Sequence, residues 1–290
     1  MINKPEDTFE DMRQAPDKGL TNLATRLTNF ADQLSSATKS RLLNGHTHEP
    51  LQKMTQSQVF QVDEAHLERH RILAHHPRTQ EADIFRILRT HLLQIMNKSN
   101  FRTLAITSPN YGDGKTTIAL NLALSIALDL KQTVLLADLD LRKPNLYEYM
   151  GMEPTVGLSN YLLHDTPLHE CLVRPNFDRL NTLPAGPPLD YSSEILGSPK
   201  MATLAREIKT RYNDRFIIYD MPPVLAQDDS IAFMPHVDAV LMVVRDGITR
   251  ANEVKQCLDS LADANVIGVV LNDARDQDIR PRSKLQRRKN

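Results

Sequence analysis

What this chain has little of narrows its class first. Only two cysteines, Cys171 and Cys257, occur among 290 residues, far apart in sequence. That excludes a disulfide scaffold and fits a reducing cytoplasm. No apolar run approaches the roughly 20 residues that a membrane-crossing helix needs, and Met1–Leu20 is polar and acidic, unlike a secretory leader. Neither sign of charge dominates. Against 35 Lys and Arg stand 36 Asp and Glu, a formal net charge of −1, which carries no footprint of a nucleic-acid binder. Six histidines lie between His46 and His76, and His66 and His70 share a helix face. Leu67 stands where a zinc protease needs glutamate, and no Cys-x-x-Cys is present to assist, so the pair is not read as a metal site.

What is present is an alternation. Apolar, β-branched runs recur at Leu104–Thr107, Thr133–Leu136, Arg215–Tyr219, Ala239–Val244 and Val266–Leu271. Near-continuous apolar runs of this length predict strands buried on both faces of a parallel sheet. Helical patterns lie between them at Thr117–Leu130, Pro199–Arg211 and Ala251–Ala264. The fold class expected is α/β, a doubly wound, mostly parallel sheet flanked by helices.

The first run ends in Ser108-Pro-Asn-Tyr-Gly-Asp-Gly-Lys-Thr-Thr117. Strand, glycine-bearing loop, Gly-Lys-Thr and helix are the context of a phosphate-binding loop, which makes this a P-loop NTPase domain in expectation. Gly112 and Gly114 let the backbone curl and turn its N–H groups inward, and the helix adds its positive end to the same spot. Gly112, Asp113, Gly114, Lys115, Thr116 and Thr117 are the candidate nucleotide-binding residues. Lys115 reaches terminal phosphates, and the Thr116 hydroxyl is a candidate Mg²⁺ ligand. The loop is a variant, because Pro109 occupies the position of the usual first glycine.

Other strand ends are polar too: Asp138-Leu-Asp140-Leu-Arg142-Lys-Pro144, Asp220-Met-Pro-Pro223 and Asn272-Asp273. Open parallel sheets bind ligands at the carboxyl ends of their strands, so these residues converge on one crevice. A carboxylate closing an apolar strand needs a partner, and nucleotide-bound Mg²⁺ is one.

Together the phosphate loop, Asp-x-Asp-x-Arg-Lys-Pro and Asp-x-Pro-Pro resemble the bacterial tyrosine kinases of capsule and exopolysaccharide export, over roughly Asp83 to Asn272. Gly157-Leu-Ser-Asn-Tyr-Leu162, Leu183-Pro-Ala-Gly-Pro-Pro188 and Ser193-Glu-Ile-Leu-Gly-Ser198 agree with that family. The resemblance implies an ATP- and Mg²⁺-dependent protein tyrosine kinase. In it Lys115 holds phosphates, and Thr116, Asp140 and Asp220 hold Mg²⁺. Asp138 orients or deprotonates the incoming hydroxyl, and Asn272 contacts adenine. Phosphoryl transfer needs mainly positioning and charge neutralisation. The resemblance also implies a homo-oligomer, with Asp83, Arg86 and Arg89 matching a helix that contacts a neighbouring subunit. Asp83 replaces that helix's glutamate. The implied partner is a membrane-spanning polysaccharide chain-length regulator, and the implied location is the cytoplasmic face of the plasma membrane, reached through it.

Two departures stand out. Tyr111 takes the place of the family's usual proline. The tyrosine cluster that normally ends these kinases is missing, since the last tyrosine is Tyr219, leaving internal tyrosines such as Tyr147 or Tyr149 as acceptors. Two rivals share the fold: a partitioning-type ATPase switch, which carries a lysine where Asn110 stands here, and a weakly catalytic nucleotide-binding regulator of export. The expected layout is a polar extension over 1–56, a lead-in over 57–80, the kinase domain over 81–275 and a basic tail over 276–290. The extension carries an amphipathic helix near 20–35 (Leu20, Leu23, Leu27, Phe30, Leu34). The tail is a candidate for contact with anionic membrane.

Overall fold

The computed structural model describes residues 58–129, 132–153, 156–211 and 215–274. The amphipathic helix near 20–35 and the basic tail lie outside them. Eight strands form one sheet: β1 (Gln58–Phe60), β2 (Thr103–Thr107), β3 (Thr133–Asp138), β4 (Val173–Pro175), β5 (Leu180–Leu183), β6 (Arg215–Asp220), β7 (Ala239–Arg245) and β8 (Val266–Asn272). Their order across the sheet is β1-β4-β5-β3-β6-β2-β7-β8. Every neighbouring pair is parallel except β4 and β5, which meet antiparallel at Val173 and Thr182.

The five expected strands all form, and β2 and β6 are buried along their whole length. Strands β1, β4 and β5 were not anticipated. They are three or four residues long, too short to show a period, and they widen one edge of the sheet. Helices cover both faces: α1 (Glu64–Arg69), α2 (Gln80–Lys98), α3 (Lys115–Ala127), α4 (Leu146–Met150), α5 (Leu158–His164), α6 (Leu168–Cys171), α7 (Ser192–Leu196), α8 (Pro199–Arg211), α9 (Asp229–Phe233) and α10 (Ala251–Ser260).

Two apolar cores result, one on each side of the sheet. One joins α8, α10 and α5 to β6 through residues such as Leu204, Cys257, Leu162 and Ile217. The other joins α2 and α3 through Leu92, Met96, Leu122 and Ile126. Helix α3 is buried almost all round, as its apolar composition requires. It begins at Lys115, two residues ahead of the apolar pattern that starts at Thr117, because Gly114 turns the chain with φ of +96° directly before it.

The lead-in residues join this body. Strand β1 pairs with β4, and Leu67, Ile72 and Ala74 are buried. The strap between α1 and α2 is held by one side chain of α3. Asn121 accepts from the Leu73 and Ala74 N–H groups at 2.7 and 2.9 Å and donates to the Arg71 carbonyl at 2.9 Å. A fully buried amide that satisfies three backbone groups replaces the ladder this segment lacks.

Candidate active site

The site lies where β2, β3 and β6 end. Asp138 and Asp220 are direct neighbours in the β3–β6 register, and Ile106 of β2 is paired with Asp220. The phosphate loop therefore rises beside two acidic strand ends. Both loop glycines have left-handed backbones, φ +83° at Gly112 and +96° at Gly114, a conformation that disfavours any side chain. A Cβ on Gly114 would also lie 2.0 Å from the Asn272 amide nitrogen.

Asp113 braces the loop from inside. It is buried, with one carboxylate oxygen accepting from Asn110 N–H at 2.9 Å and the other from the Thr249 hydroxyl at 2.8 Å. Asn272 donates to the Asp113 carbonyl at 2.9 Å. Of the sequence-derived nucleotide residues, Asp113 and Asn272 thus shape the loop backbone, while Lys115 and Thr116 open α3 and face the carboxylates.

Lys115 Nζ lies 3.3 Å from Asp140 Oδ2, both side chains buried. Burial alone would lower the lysine pKa, but Asp220, Asp140 and Asp138 outweigh it, so the ammonium is held charged. The carboxylates show the opposite pressure. Burial, then Asp220 and Asp140, push Asp138 up to about 8. Burial lifts Asp220 to about 6, against the pull of Lys115 and a hydrogen bond from Thr116. Asp138 is also a backbone organiser: its oxygens accept from Asp140 N–H at 3.0 Å and Leu146 N–H at 3.2 Å. Asp140 Oδ1 accepts from Lys143 N–H at 3.1 Å.

The cluster has one cation and three carboxylates, and the buried Asp220 Oδ1 has no hydrogen-bond partner. Among the described residues, no group of three or more His, Cys, Asp or Glu could hold a metal by protein ligands alone. One or two carboxylates with a threonine hydroxyl are the donor set of Mg²⁺ when nucleotide phosphates complete its shell. Thr116, Asp140 and Asp220 fit that group.

Two contributors, Gln227 and Thr249, escaped the sequence reading, and Arg142 of the Asp-x-Asp-x-Arg-Lys-Pro segment gains partners that reading did not name. Gln227 donates from one amide nitrogen to the Tyr111 hydroxyl at 2.6 Å and to Asp140 Oδ1 at 3.2 Å. Thr249 closes on Asp113. Arg142 bridges to Ser192 at 2.8 Å and faces the buried Asp229 at 3.6 Å. Burial raises the pKa of Asp229, against Ser192 and Arg142. Gln227 sits in no regular element, so only its closeness to Asp-x-Pro-Pro could have drawn attention to it.

The oligomer candidates divide. Asp83 and Arg86 form an ion pair on the exposed side of α2, whereas Arg89 turns inward and donates to the Ser125 carbonyl of α3 at 2.6 Å. The internal tyrosines divide as well. Tyr147 is buried, and Tyr149 packs against His70 at 5.1 Å between ring centroids.

This is the fold and site of a P-loop nucleotide-binding domain. The profile of the CobQ/CobB/MinD/ParA nucleotide binding domain matches residues 104–289. Tyrosine-protein kinase YwqD of Bacillus subtilis (strain 168) is 30% identical over 208 residues, 71% of this chain and 86% of that protein. Succinoglycan biosynthesis transport protein ExoP of Rhizobium meliloti (strain 1021) is 32% identical over 207 residues, 70% of this chain but 26% of ExoP. The crystal structure of the VpsO kinase domain superposes with a TM-score of 0.62 at 32% identity, covering 72% of this chain and 98% of that one. The chain belongs to the CobQ/CobB/MinD/ParA family and, within it, to the bacterial tyrosine kinases.

Proposed function

We propose that this protein is an ATP- and Mg²⁺-dependent protein tyrosine kinase acting in exopolysaccharide or capsule synthesis and export. The observation that carries the reading is the cluster of Asp138, Asp140 and Asp220 around Lys115. A fixed cation sits among carboxylates too numerous for it, at the mouth of a phosphate loop. On nucleotide binding, Lys115 leaves Asp140 for the terminal phosphates, and the loop N–H groups cradle the rest. Bound Mg²⁺ supplies charge neutralisation at the phosphates, and Asp140, Asp220 and Thr116 are the residues to hold it. Asp138, its pKa lifted to about 8, takes the proton of the incoming hydroxyl. Asn272, which donates to the loop at Asp113, borders the adenine in this reading.

Among the described residues no helix is long and apolar enough to cross a membrane. The reading also includes, from the family resemblance, a membrane-spanning chain-length regulator as partner at the cytoplasmic face, homo-oligomerisation through the Asp83–Arg86 face of α2, and anionic lipid contact by residues 276–290. The test is phosphotyrosine formation by the purified chain with Mg²⁺ and ATP, with Lys115→Met alongside. Phosphotyrosine in the wild type alone supports the kinase. ATP hydrolysis without phosphotyrosine on any acceptor favours the second reading, a partitioning-type ATPase switch. That reading draws on a TM-score of 0.50 and 27% identity to the Pyrococcus furiosus cell division ATPase MinD.

A further inference from the structure

Seven tyrosines occur in the chain, and none follows Tyr219. Among the described residues, Tyr147, Tyr161 and Tyr219 are buried, while Tyr111 and Tyr191 are each 41% exposed. Tyr111 stands inside the phosphate loop itself. Its hydroxyl accepts from Gln227 Nε2 at 2.6 Å, and the same nitrogen donates to Asp140 Oδ1 at 3.2 Å. The ring is flanked by two ammonium groups, Lys143 Nζ at 4.5 Å and Lys115 Nζ at 5.9 Å from its centroid. The hydroxyl is thus held one amide away from a carboxylate of the phosphate site. A glutamine that orients the attacking oxygen is a recurring part of P-loop enzymes. Here the oxygen it grips belongs to the protein.

We infer that Tyr111 is a phosphate acceptor of this kinase, modified by the nucleotide bound in its own chain. The inference rests on the kinase reading above. The Tyr111 oxygen attacks the γ-phosphorus of ATP. The bond from that phosphorus to the bridging oxygen breaks, and ADP leaves with the electron pair. The hydroxyl proton passes to Asp138, the base of the kinase reading, while the Gln227 amide orients the oxygen by donating to it and to Asp140.

The product is self-limiting. A phosphate on Tyr111 brings close to two negative charges beside Lys115 and Lys143. It occupies the cationic corner that the next ATP requires. One round of modification therefore closes the site until a phosphatase reopens it. This assigns an acceptor to a chain whose tyrosines stop at 219, and it gives the tyrosine in the loop a role.

Trypsin releases Tyr111 on the peptide Thr103–Lys115, which contains no other tyrosine. In the Lys115→Met chain that cleavage site is lost, and the Tyr111 peptide runs on to Lys131. Wild-type and Lys115→Met chains can therefore be mixed with Mg²⁺ and ATP, digested together and told apart by mass. A copolymer of glutamate and tyrosine in the same reaction reports transfer to an outside acceptor. The expected result is phosphate on the short peptide, none on the long one, and a loss of self-label of about ten-fold or more in Tyr111→Phe but not in Tyr191→Phe. Phosphate on the long peptide overturns modification within one chain. Phosphate on the copolymer or on other tyrosines with Tyr111 bare overturns the assignment and leaves the kinase standing. No phosphotyrosine on chain or copolymer removes both.

Discussion

The two ends of the sheet treat a carboxylate in opposite ways. At the amino end, Asp238 precedes β7 and is fully employed. Its oxygens accept from the Arg102 and Thr103 N–H groups at 2.8 and 3.1 Å and pair with Lys209. Burial would raise its pKa, but those partners win and hold it below the usual carboxylate range. At the carboxyl end, Asp138, Asp140 and Asp220 share Lys115, and an oxygen of Asp220 is left without a hydrogen bond. There burial wins, and Asp138 and Asp220 are driven up. The same residue type holds the fold together at one end and stores unmet demand at the other. Unmet demand is what a ligand can satisfy, and the raised Asp138 and Asp220 stand where a nucleotide and its cation would meet it.

The contrast can be broken in four ways. The largest effect is expected for Lys115→Met, which removes the cation of the carboxyl end. ATP-dependent phosphoryl transfer should fall by about a thousand-fold, read as phosphotyrosine per unit time. Retained turnover would dissolve the site as drawn. At the other end, Asp238→Ala strands two backbone N–H groups and Lys209. Urea unfolding should show a loss of about 3 kcal/mol, with the nucleotide site unaffected.

Asp220→Asn should do the reverse. It relieves a buried charge, so the nucleotide-free chain gains about 1 kcal/mol in stability while losing transfer activity. A stability loss as large as that of Asp238→Ala would show the two ends to be alike. The fourth is the pH slope. The folded pKa of Asp138, about 8, lies above the unfolded value near 3.8. Its contribution is therefore favourable at low pH and is lost as pH rises through that window. Asp238 runs oppositely, favourable above its unfolded pKa and lost in acid. Between about pH 5 and 8, the Tm of the nucleotide-free wild type should fall more steeply than that of Asp138→Asn.

The sequence reading reached the central strands because β2, β3, β6, β7 and β8 carry long apolar runs, and it reached Lys115, Thr116 and the three acids because local motifs mark them. It did not reach β1, β4 and β5, whose few residues carry no period. Nor did it reach Gln227 or Thr249, which act through tertiary approach: each comes from another segment to grip a residue of the phosphate loop. Asn272 was legible as a polar strand end, but its donation to the Asp113 carbonyl depends on β8 lying beside β7 and reaching back to the loop. Tyr111 was legible as an oddity in a motif, and only the partner of its hydroxyl gives that oddity a chemistry.

The bracing of Asp113 has a consequence for the newborn chain. The phosphate loop is complete in sequence once residue 117 has left the ribosome. The groups that fix its shape arrive far later, the Thr249 hydroxyl first and the Asn272 amide after it. A nascent chain short of β8 carries Gly-Asp-Gly-Lys-Thr without the geometry that makes it a nucleotide site. Translation therefore delivers the motif early and the capacity to use it last, and a half-made molecule has no finished site with which to spend ATP.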